Sequence, residues 1–517
     1  MVEHVLAKDE IGVRFPVSAL LRLLNHTMEI RPSKIPAEVA QVTNTLEKAG
    51  FEAWIVGGCV RDLFLGRTPK DWDVTTNAAP EKIQGIFEHT YYTNEFGTVG
   101  VVNDATEDER LKVIEVTPYR LEGEYSDARR PDSVQFSPHI EDDLKRRDFT
   151  INAMAYSASK GQLLDLYGGI KDLEARLIRA VGDPVARFGE DALRIMRAVR
   201  ISAELDFELE PRTRRAMRDS AAQLEKISKE RIRDEFVRII NSPHIKRTLV
   251  LSHELGILRY IAPELELGVG VEQNQAHSFD VFEHNLRTAQ HAADKDWDFI
   301  VRLSGLFHDV GKPASRRWSE EKRDWTFHGH DVVGARMTKK ILENLKFSRE
   351  TIDKASSLVR WHMFFSDPAV VTLSAVRRII TNVGAEHIWD LINLRICDRI
   401  GTGRPKEQPF RLRKYQAMIE QALRDPISVG MLKIDGRRII EMGEGPGPRI
   451  GWTLHVLLEE VLEDPAKNTA DYLEGRAGEL LHMEDQALRT IGEEAKGTKA
   501  AAEEKEIKDI HNKYFVD

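Results

Sequence analysis

Short apolar runs at Trp54–Val56, Trp72–Thr75, Thr98–Val102, Val113–Thr117 and Leu163–Leu166 are separated by amphipathic stretches, a pattern that predicts strands with helices between them. Residues 1–35 form a weakly periodic extension, punctuated by Pro32 and Pro36, and a helical pattern runs from Ala37 to Ala49. From Pro184 onward the apolar positions recur at three- and four-residue spacing, in Glu190–Leu205, Pro211–Leu224, Lys229–Ile240 and many later segments, which predicts an all-α remainder. Gly- and Pro-rich loops at Gly401–Pro409 and Gly443–Gly451 mark boundaries, and Ile491–Lys513 reads as a polar, Glu/Lys/Ala-rich helix or tail. The fold class expected is therefore α+β: a mixed head of about 170 residues, then helices.

At 517 residues the chain exceeds what one hydrophobic core supports, so three or more domains of roughly 50–200 residues are expected. A formal charge of −9 excludes a uniformly basic surface but not local basic clusters, which are present. The two cysteines, Cys59 and Cys397, give neither a disulfide framework nor zinc spacing. A charged N-terminus and the lack of any apolar run near the roughly 20 residues of a membrane span point to a cytoplasmic protein without a membrane partner.

The densest chemistry lies at AWIVGGCVRDLFLGRTPKDWD, where an apolar strand enters a Gly57-Gly58 turn, an Arg61-Asp62 helix start and two aspartates one residue apart. On an extended strand Asp71 and Asp73 share a side while Trp72 faces inward, so both carboxylates can meet one Mg²⁺. Glu115 in VIEVT can bring a third carboxylate. Gly58 and Arg61 suit a triphosphate; Arg146 and Arg147 suit phosphate oxygens, with Asp148 or Asn152 available to a ribose. Each has a structural counterpart: a tight turn, a solvated strand end, or a capping Asp148 behind solvated arginines. Tyr119–Pro138, polar and aperiodic, reads as a mobile loop. Glu190, Arg194 and Arg197 fall on one helical surface beside Asp191, either as a solvated ion pair or as a template of donors and acceptors for a base edge.

GGCVRD, DWD, EVTPYR, the loop EGEYSDARRPDSVQF, DLKRRDFTINAMA, DLYGGIKDL and EDALRIMRAVR stand in the order found in class II tRNA nucleotidyltransferases, the CCA-adding enzymes related to bacterial poly(A) polymerases, which this chain resembles over about residues 50–240. The resemblance implies a polymerase-β-like nucleotidyltransferase head followed by helical neck, body and tail that hold tRNA. It matches Asp71 and Asp73 to the catalytic metal pair, and Gly58 and Arg61 to nucleotide contacts. Arg147 and Asp148 match the ribose and phosphate motif, Asp191 and Arg194 the protein template for CTP or ATP, and Arg197 and Arg200 the basic residues after it. Enzymes that add only CC lack the loop retained here at Glu115–Asp132, which disfavours that activity; A-only addition stays open. Asn94–Val102 resembles the tRNA enzymes more than poly(A) polymerases.

A second centre is expected in the helical half. Phe307-His308-Asp309 follows an apolar helix, with Glu283-His284 before it and His330, Trp361-His362 and Asp398 after it, an order that resembles an HD-type phosphohydrolase. Imidazoles and carboxylates on several helices suit one or two transition-metal ions (Ni, Mn, Fe or Co), with Asp309 as bridge. His277, His291 and His328 show no comparable pattern partner. Arg404–Lys414 and Gly445–Trp452 are similar to the region of related enzymes that reaches the tRNA elbow, with Arg411, Arg413 and Lys414 as phosphate contacts. The domains expected are an extension (1–35), head (36–170), neck (171–272), HD domain (273–400), tail (401–475) and polar C-terminal segment (476–517). The rival readings are an HD phosphohydrolase whose head merely binds RNA, and a non-catalytic RNA-binding or chaperone protein.

Overall fold

A computed structural model describes residues 34–92, 97–122, 134–274, 277–364 and 371–495. The expectations for most of the N-terminal extension, for the centre of the Tyr119–Pro138 loop and for the last residues of the C-terminal tail lie outside them. The chain forms two compact units: Met1–Ser202 with Asp206–Lys226, and Ala203–Leu205 with Ile227–Asp517.

The first unit is built on a sheet of β1 (Ala53–Val56), β2 (Asp73–Thr76), β3 (Thr90–Tyr92), β4 (Val99–Val102), β5 (Val113–Pro118) and, after a separate hairpin of β6 (Arg120–Glu122) and β7 (Val134–Phe136), β8 (Met154–Ser157) and β9 (Gln162–Asp165). The spatial order is β3-β4-β5-β2-β1-β8-β9. Only β2 and β5 run parallel; the other neighbours are antiparallel. In β5, Ile114, Val116 and Pro118 are buried while Val113, Glu115 and Thr117 alternate onto the more open face, the period-two pattern of a strand with one face on the core. The helix Ala37–Lys48 lays Val39, Val42 and Leu46 against this sheet's unit, close to the expected Ala37–Ala49.

Several elements depart from the sequence pattern. β8 is buried at all four positions and so shows no alternation to read. The Tyr119–Pro138 loop is anchored by the antiparallel β6–β7 ladder. The expected helix Glu190–Leu205 is two helices, Pro184–Glu190 and Leu193–Leu205: Asp191 is extended between them, and its carboxylate accepts the N–H of Leu193, the first residue of the second helix, at 2.9 Å. The remainder is not purely helical. β10 (Leu177–Ile178) pairs in parallel with β11 (Glu208–Leu209), and β12 (Arg317–Ser319) forms a hairpin with β13 (Asp324–Thr326) in which the cross-strand rings of Trp318 and Trp325 lie 5.2 Å apart. A helix already starts at Pro448, inside the expected Gly443–Gly451 loop.

The second unit stacks the helices Val281–Asp294, Phe299–Phe307, His330–Asn344, Arg349–Trp361 and Ile388–Gly401, each with a buried apolar stripe. Asp280, Ser348 and Thr372 cap three of its helices through their side chains. Gly311 sits where the chain after Asp309 crosses the helix His330–Asn344: a Cβ there would collide with the His330 carbonyl and the Gly334 backbone. The substitution Gly311→Ala is expected to cost about 1–3 kcal/mol by overpacking and to weaken divalent-metal binding by the second unit, both readable by thermal melts with and without added Mn²⁺.

Candidate active site and metal centre

In the first unit the parallel pairing sets Asp73 directly opposite Glu115. Asp71 lies two residues before, exposed, and Trp72 between them is buried, as the alternation predicts. Burial pushes the Asp73 carboxyl up to about 7, against the opposing Arg147, and the Asp71 and Glu115 carboxylates add to the rise. Glu115 is likewise raised by burial and by Asp71. A carboxyl raised in this way, with two further carboxylates beside it, suits a cation, and hard oxygen ligands suit Mg²⁺.

Gly57, not Gly58, is the glycine the geometry requires. Its φ is +85°, and a Cβ would stand 2.9 Å from Arg147 Nη1 and 3.3 Å from Asp73 Oδ2. Arg61 is buried, donating from Nη1 to Asn152 Oδ1 at 2.8 Å and pairing with Asp62 at 2.8 Å. Arg146 and Arg147 share the fully buried Asp143, at 2.5 and 3.0 Å. Burial works against the Asp143 charge, but the two guanidiniums outweigh it and hold the carboxyl below its ordinary range. Asp143 was not singled out from sequence, although acidic spacing three and four residues before two arginines is a legible signal.

Asp148 is buried and fully engaged: Oδ1 accepts the Phe149 N–H and Asn152 Nδ2, and Oδ2 accepts Arg197 at 2.6 Å. Burial opposes its charge, yet Arg197 and Asn152 keep the carboxyl well below the usual range. Arg194 reaches back across the break at Asp191 to pair with Glu190, which also binds Arg187 at 2.8 Å, and donates to the carbonyls of Arg187 and Arg146. Arg194 is thus tied to the Arg146-Arg147 run through backbone. Arg200 is buried on the same helix.

In the second unit the six expected residues converge from separate helices and their ends. His308, His330 and His362 each direct Nδ1 to a backbone carbonyl, of Gly305, Phe327 and Val359, at 2.9, 2.6 and 2.6 Å. A carbonyl only accepts, so Nδ1 carries the proton and Nε2 is turned inward as a ligand atom. His284 Nε2 and His308 Nε2 lie 2.9 Å apart, facing Asp309 Oδ2 at 3.0 and 3.2 Å and Asp398 Oδ1 at 3.4 and 3.7 Å. His330 and His362 face the other oxygen, Asp309 Oδ1, at 3.2 and 3.6 Å. Asp309 Oδ1, His330 Nε2 and His362 Nε2 are buried without a hydrogen bond, and the donor set fits divalent metal.

His277 belongs to this cluster after all. Its ring stands edge-on to His284 at 5.2 Å and lies within ligand spacing of His284 and Asp309. Lys312, within the sequence run after His308-Asp309, donates to Asp309 Oδ2 and Gln273 Oε1, each at 2.6 Å. His291, by contrast, faces Glu407 at 3.5 Å. His328 lines the same cavity. Of the basic tail, Arg411, Arg413 and Lys414 are exposed on a helix whose Leu412 and Tyr415 are buried, whereas Arg449 is consumed by Glu444 and Asp485.

A carboxylate trio on a mixed sheet beside arginines is compatible with a nucleotidyltransferase head. Family comparisons agree: residues 53–179 match the Poly A polymerase head domain, 206–267 the "Probable RNA and SrmB- binding site of polymerase A", and 281–401 the HD domain. The chain is 34% identical over 453 residues to the CCA-adding enzyme of Lactobacillus helveticus, covering 86% of this chain and 98% of that one. It is 46% identical over 441 residues to that of Lactobacillus delbrueckii subsp. bulgaricus, covering 85% and 97%. The crystal structure of the Bacillus stearothermophilus CCA-adding enzyme in complex with CTP matches at 26% identity and a TM-score of 0.61, over 86% of this chain and 98% of that one. The chain belongs to the CCA-adding enzymes, a family of tRNA nucleotidyltransferases. Among its described residues no helix is long and apolar enough to cross a membrane.

Two outcomes follow from the geometry. The raised Asp73 carboxyl loses stability for the fold as pH rises from the ordinary aspartate range through about 7, since the unfolded chain has already released that proton. Asp73→Asn is therefore expected to raise Tm at pH 8 without divalent ions, and added Mg²⁺ to stabilise the wild type more than the variant. In the second unit burial disfavours the charged His308 ring, but Asp309 and Asp398 outweigh it and push the imidazole up to about 9. A metal ion must displace that proton, so Mn²⁺ affinity measured by calorimetry is expected to weaken as pH falls below about 9.

Proposed function

We propose that the protein adds and repairs the 3′-terminal CCA of tRNA from CTP and ATP, releasing pyrophosphate. The observation that supports it most directly is the register that faces Asp73 with Glu115, beside Asp71 and Arg147. Asp71 and Asp73, with Glu115 as third carboxylate, are the residues that would hold Mg²⁺. Bound there, Mg²⁺ supplies activation of the tRNA 3′-hydroxyl and neutralisation of the leaving pyrophosphate. In the reaction the 3′-oxygen bonds to the α-phosphorus while the bond to pyrophosphate breaks.

The surrounding residues orient the nucleotide. Arg146 and Arg147, held by Asp143, present guanidinium edges to phosphate oxygens. Gly57 and Gly58 let the chain pass close to the triphosphate, to which Arg61 adds positive potential, and Asp148 or Asn152, the latter bonded to Arg61, meets the ribose. Asp191 and Arg194 present the donor and acceptor pattern that selects C or A; Glu190 pairs with Arg194 and Asp148 with Arg197, and Arg197 and Arg200 are the basic nucleotide-binding residues that follow. Arg411, Arg413 and Lys414 supply sequence-independent phosphate contacts to tRNA. Two buried, unbridged cysteines suit a cytoplasmic location.

A second activity rests on the inward-facing imidazoles. His284, His308, Asp309 and Asp398 would hold one transition-metal ion, and Asp309, His330 and His362 a second, with Asp309 shared between them. Such ions, Ni, Mn, Fe or Co, supply a water activated for attack on phosphoesters.

Asp71→Ala is expected to abolish incorporation of both nucleotides while tRNA binding by gel shift stays near wild type; retained incorporation refutes the metal assignment. Labelled CTP and ATP, offered to transcripts ending before CCA, after C and after CC, are expected to extend all three. Extension of the CC-ended transcript alone would define an A-adding specialist. Asp191→Ala or Arg194→Ala should broaden the choice toward UTP and GTP, and unchanged selectivity sinks the template reading.

A further inference from the structure

The His/Asp centre opens into a cavity of about 520 Å³, the size of a nucleotide site and larger than one phosphate requires. Its lining is uneven in charge. Lys312, Lys322, Arg395, Arg399, Arg404 and Arg411 face it, against the carboxylates Asp309, Asp324 and Asp398. Two of the cations are spent on the ligand carboxylates: Lys312 binds Asp309 at 2.6 Å, and Arg395 Nη1 binds Asp398 Oδ2 at 2.7 Å.

Arg399 and Arg404 are placed differently. On the helix Ile388–Gly401, Arg395, Asp398 and Arg399 recur at three- and four-residue spacing, so Arg399 extends the ligand-bearing face toward the cavity mouth. Arg399 donates from Nε to the Lys406 carbonyl, which fixes its guanidinium, and Arg404 follows, exposed, just beyond the helix end. Arg395, Arg399 and Arg404 all line this cavity. Like charges gathered on one cavity wall repel each other, and a bound anion relieves that repulsion.

We propose that Arg399 and Arg404 form a second anion subsite at the mouth of the His/Asp cavity, so that the substrate hydrolysed there carries a phosphate beside the one attacked, as a nucleic-acid end or nucleoside bisphosphate does. The proposal rests on the phosphohydrolase reading of the centre. Hydrolysis joins the oxygen of water to the attacked phosphorus, breaks one P–O ester bond and leaves the water proton on the departing oxygen. The second phosphate stays intact and anchors the substrate.

The test is calorimetry on the full chain with adenosine 3′,5′-bisphosphate and adenosine 3′-monophosphate, in Mn²⁺ and again in EDTA. Wild type is expected to bind the bisphosphate at least about tenfold tighter, the worth of one added charge-assisted contact. Arg399→Gln and Arg404→Glu should each bring the ratio toward one, with monophosphate affinity and melting temperature unchanged. Because both variants keep the head intact, any nucleotide bound there cancels in the comparison. A ratio unaltered in both variants, or an equal loss for both probes, overturns the subsite. A Mn²⁺ stoichiometry left unreduced by His308→Ala and Asp309→Ala together, with the head carboxylates intact in both proteins, would instead overturn the phosphohydrolase reading, while the ratio in EDTA still judges the subsite.

Discussion

The parallel pairing of β2 with β5 is the constraint on which the head depends. In a sheet otherwise antiparallel, it places Asp73 opposite Glu115 and leaves Asp71 just ahead of the strand. Antiparallel neighbours on both sides, β1 and β4, fix that register by pairing Val56 with Asp73 and Gly100 with Glu115. A slip of one residue would turn the carboxylates to the opposite face of the sheet. The fold therefore gathers like charges at this point, and the backbone ladder holds them against their repulsion.

The second unit solves a similar problem with different chemistry. Imidazoles are neutral ligands that rotate freely about two bonds, so their direction must be imposed. Hydrogen bonds from Nδ1 to carbonyls three residues earlier do this for His308, His330 and His362, all at or next to helix ends. Asp309 then stands among four imidazoles, each oxygen facing two of them. Gly311, which admits no side chain against the next helix, sets how closely these segments approach.

Acids organise the basic groups of the first unit. Asp143 aligns two arginines, Asp148 holds Arg197, and Glu190 gathers Arg187 and Arg194. A guanidinium with a fixed carboxylate partner loses less freedom when it meets a phosphate or a base. The arginines named from the sequence thus act through acids, one of which the sequence reading passed over.

Much of this was legible in the chain itself. The Asp71-Trp72-Asp73 alternation, the strand VIEVT and the His308-Asp309 pair carry their chemistry in local spacing, because period two and helical repeats are local properties. The helix break at Asp191 and the hairpin β12–β13 were not legible, since a side-chain hydrogen bond to the backbone and a tryptophan pair override weak propensity. Nor was β8, buried on both faces and without alternation. Which glycine is obligatory, where His277 and Lys312 stand, and which face gathers Arg395, Arg399 and Arg404 were decided only by the tertiary structure. These depend on approaches between residues distant in sequence, and no spacing along the chain encodes a distance across it.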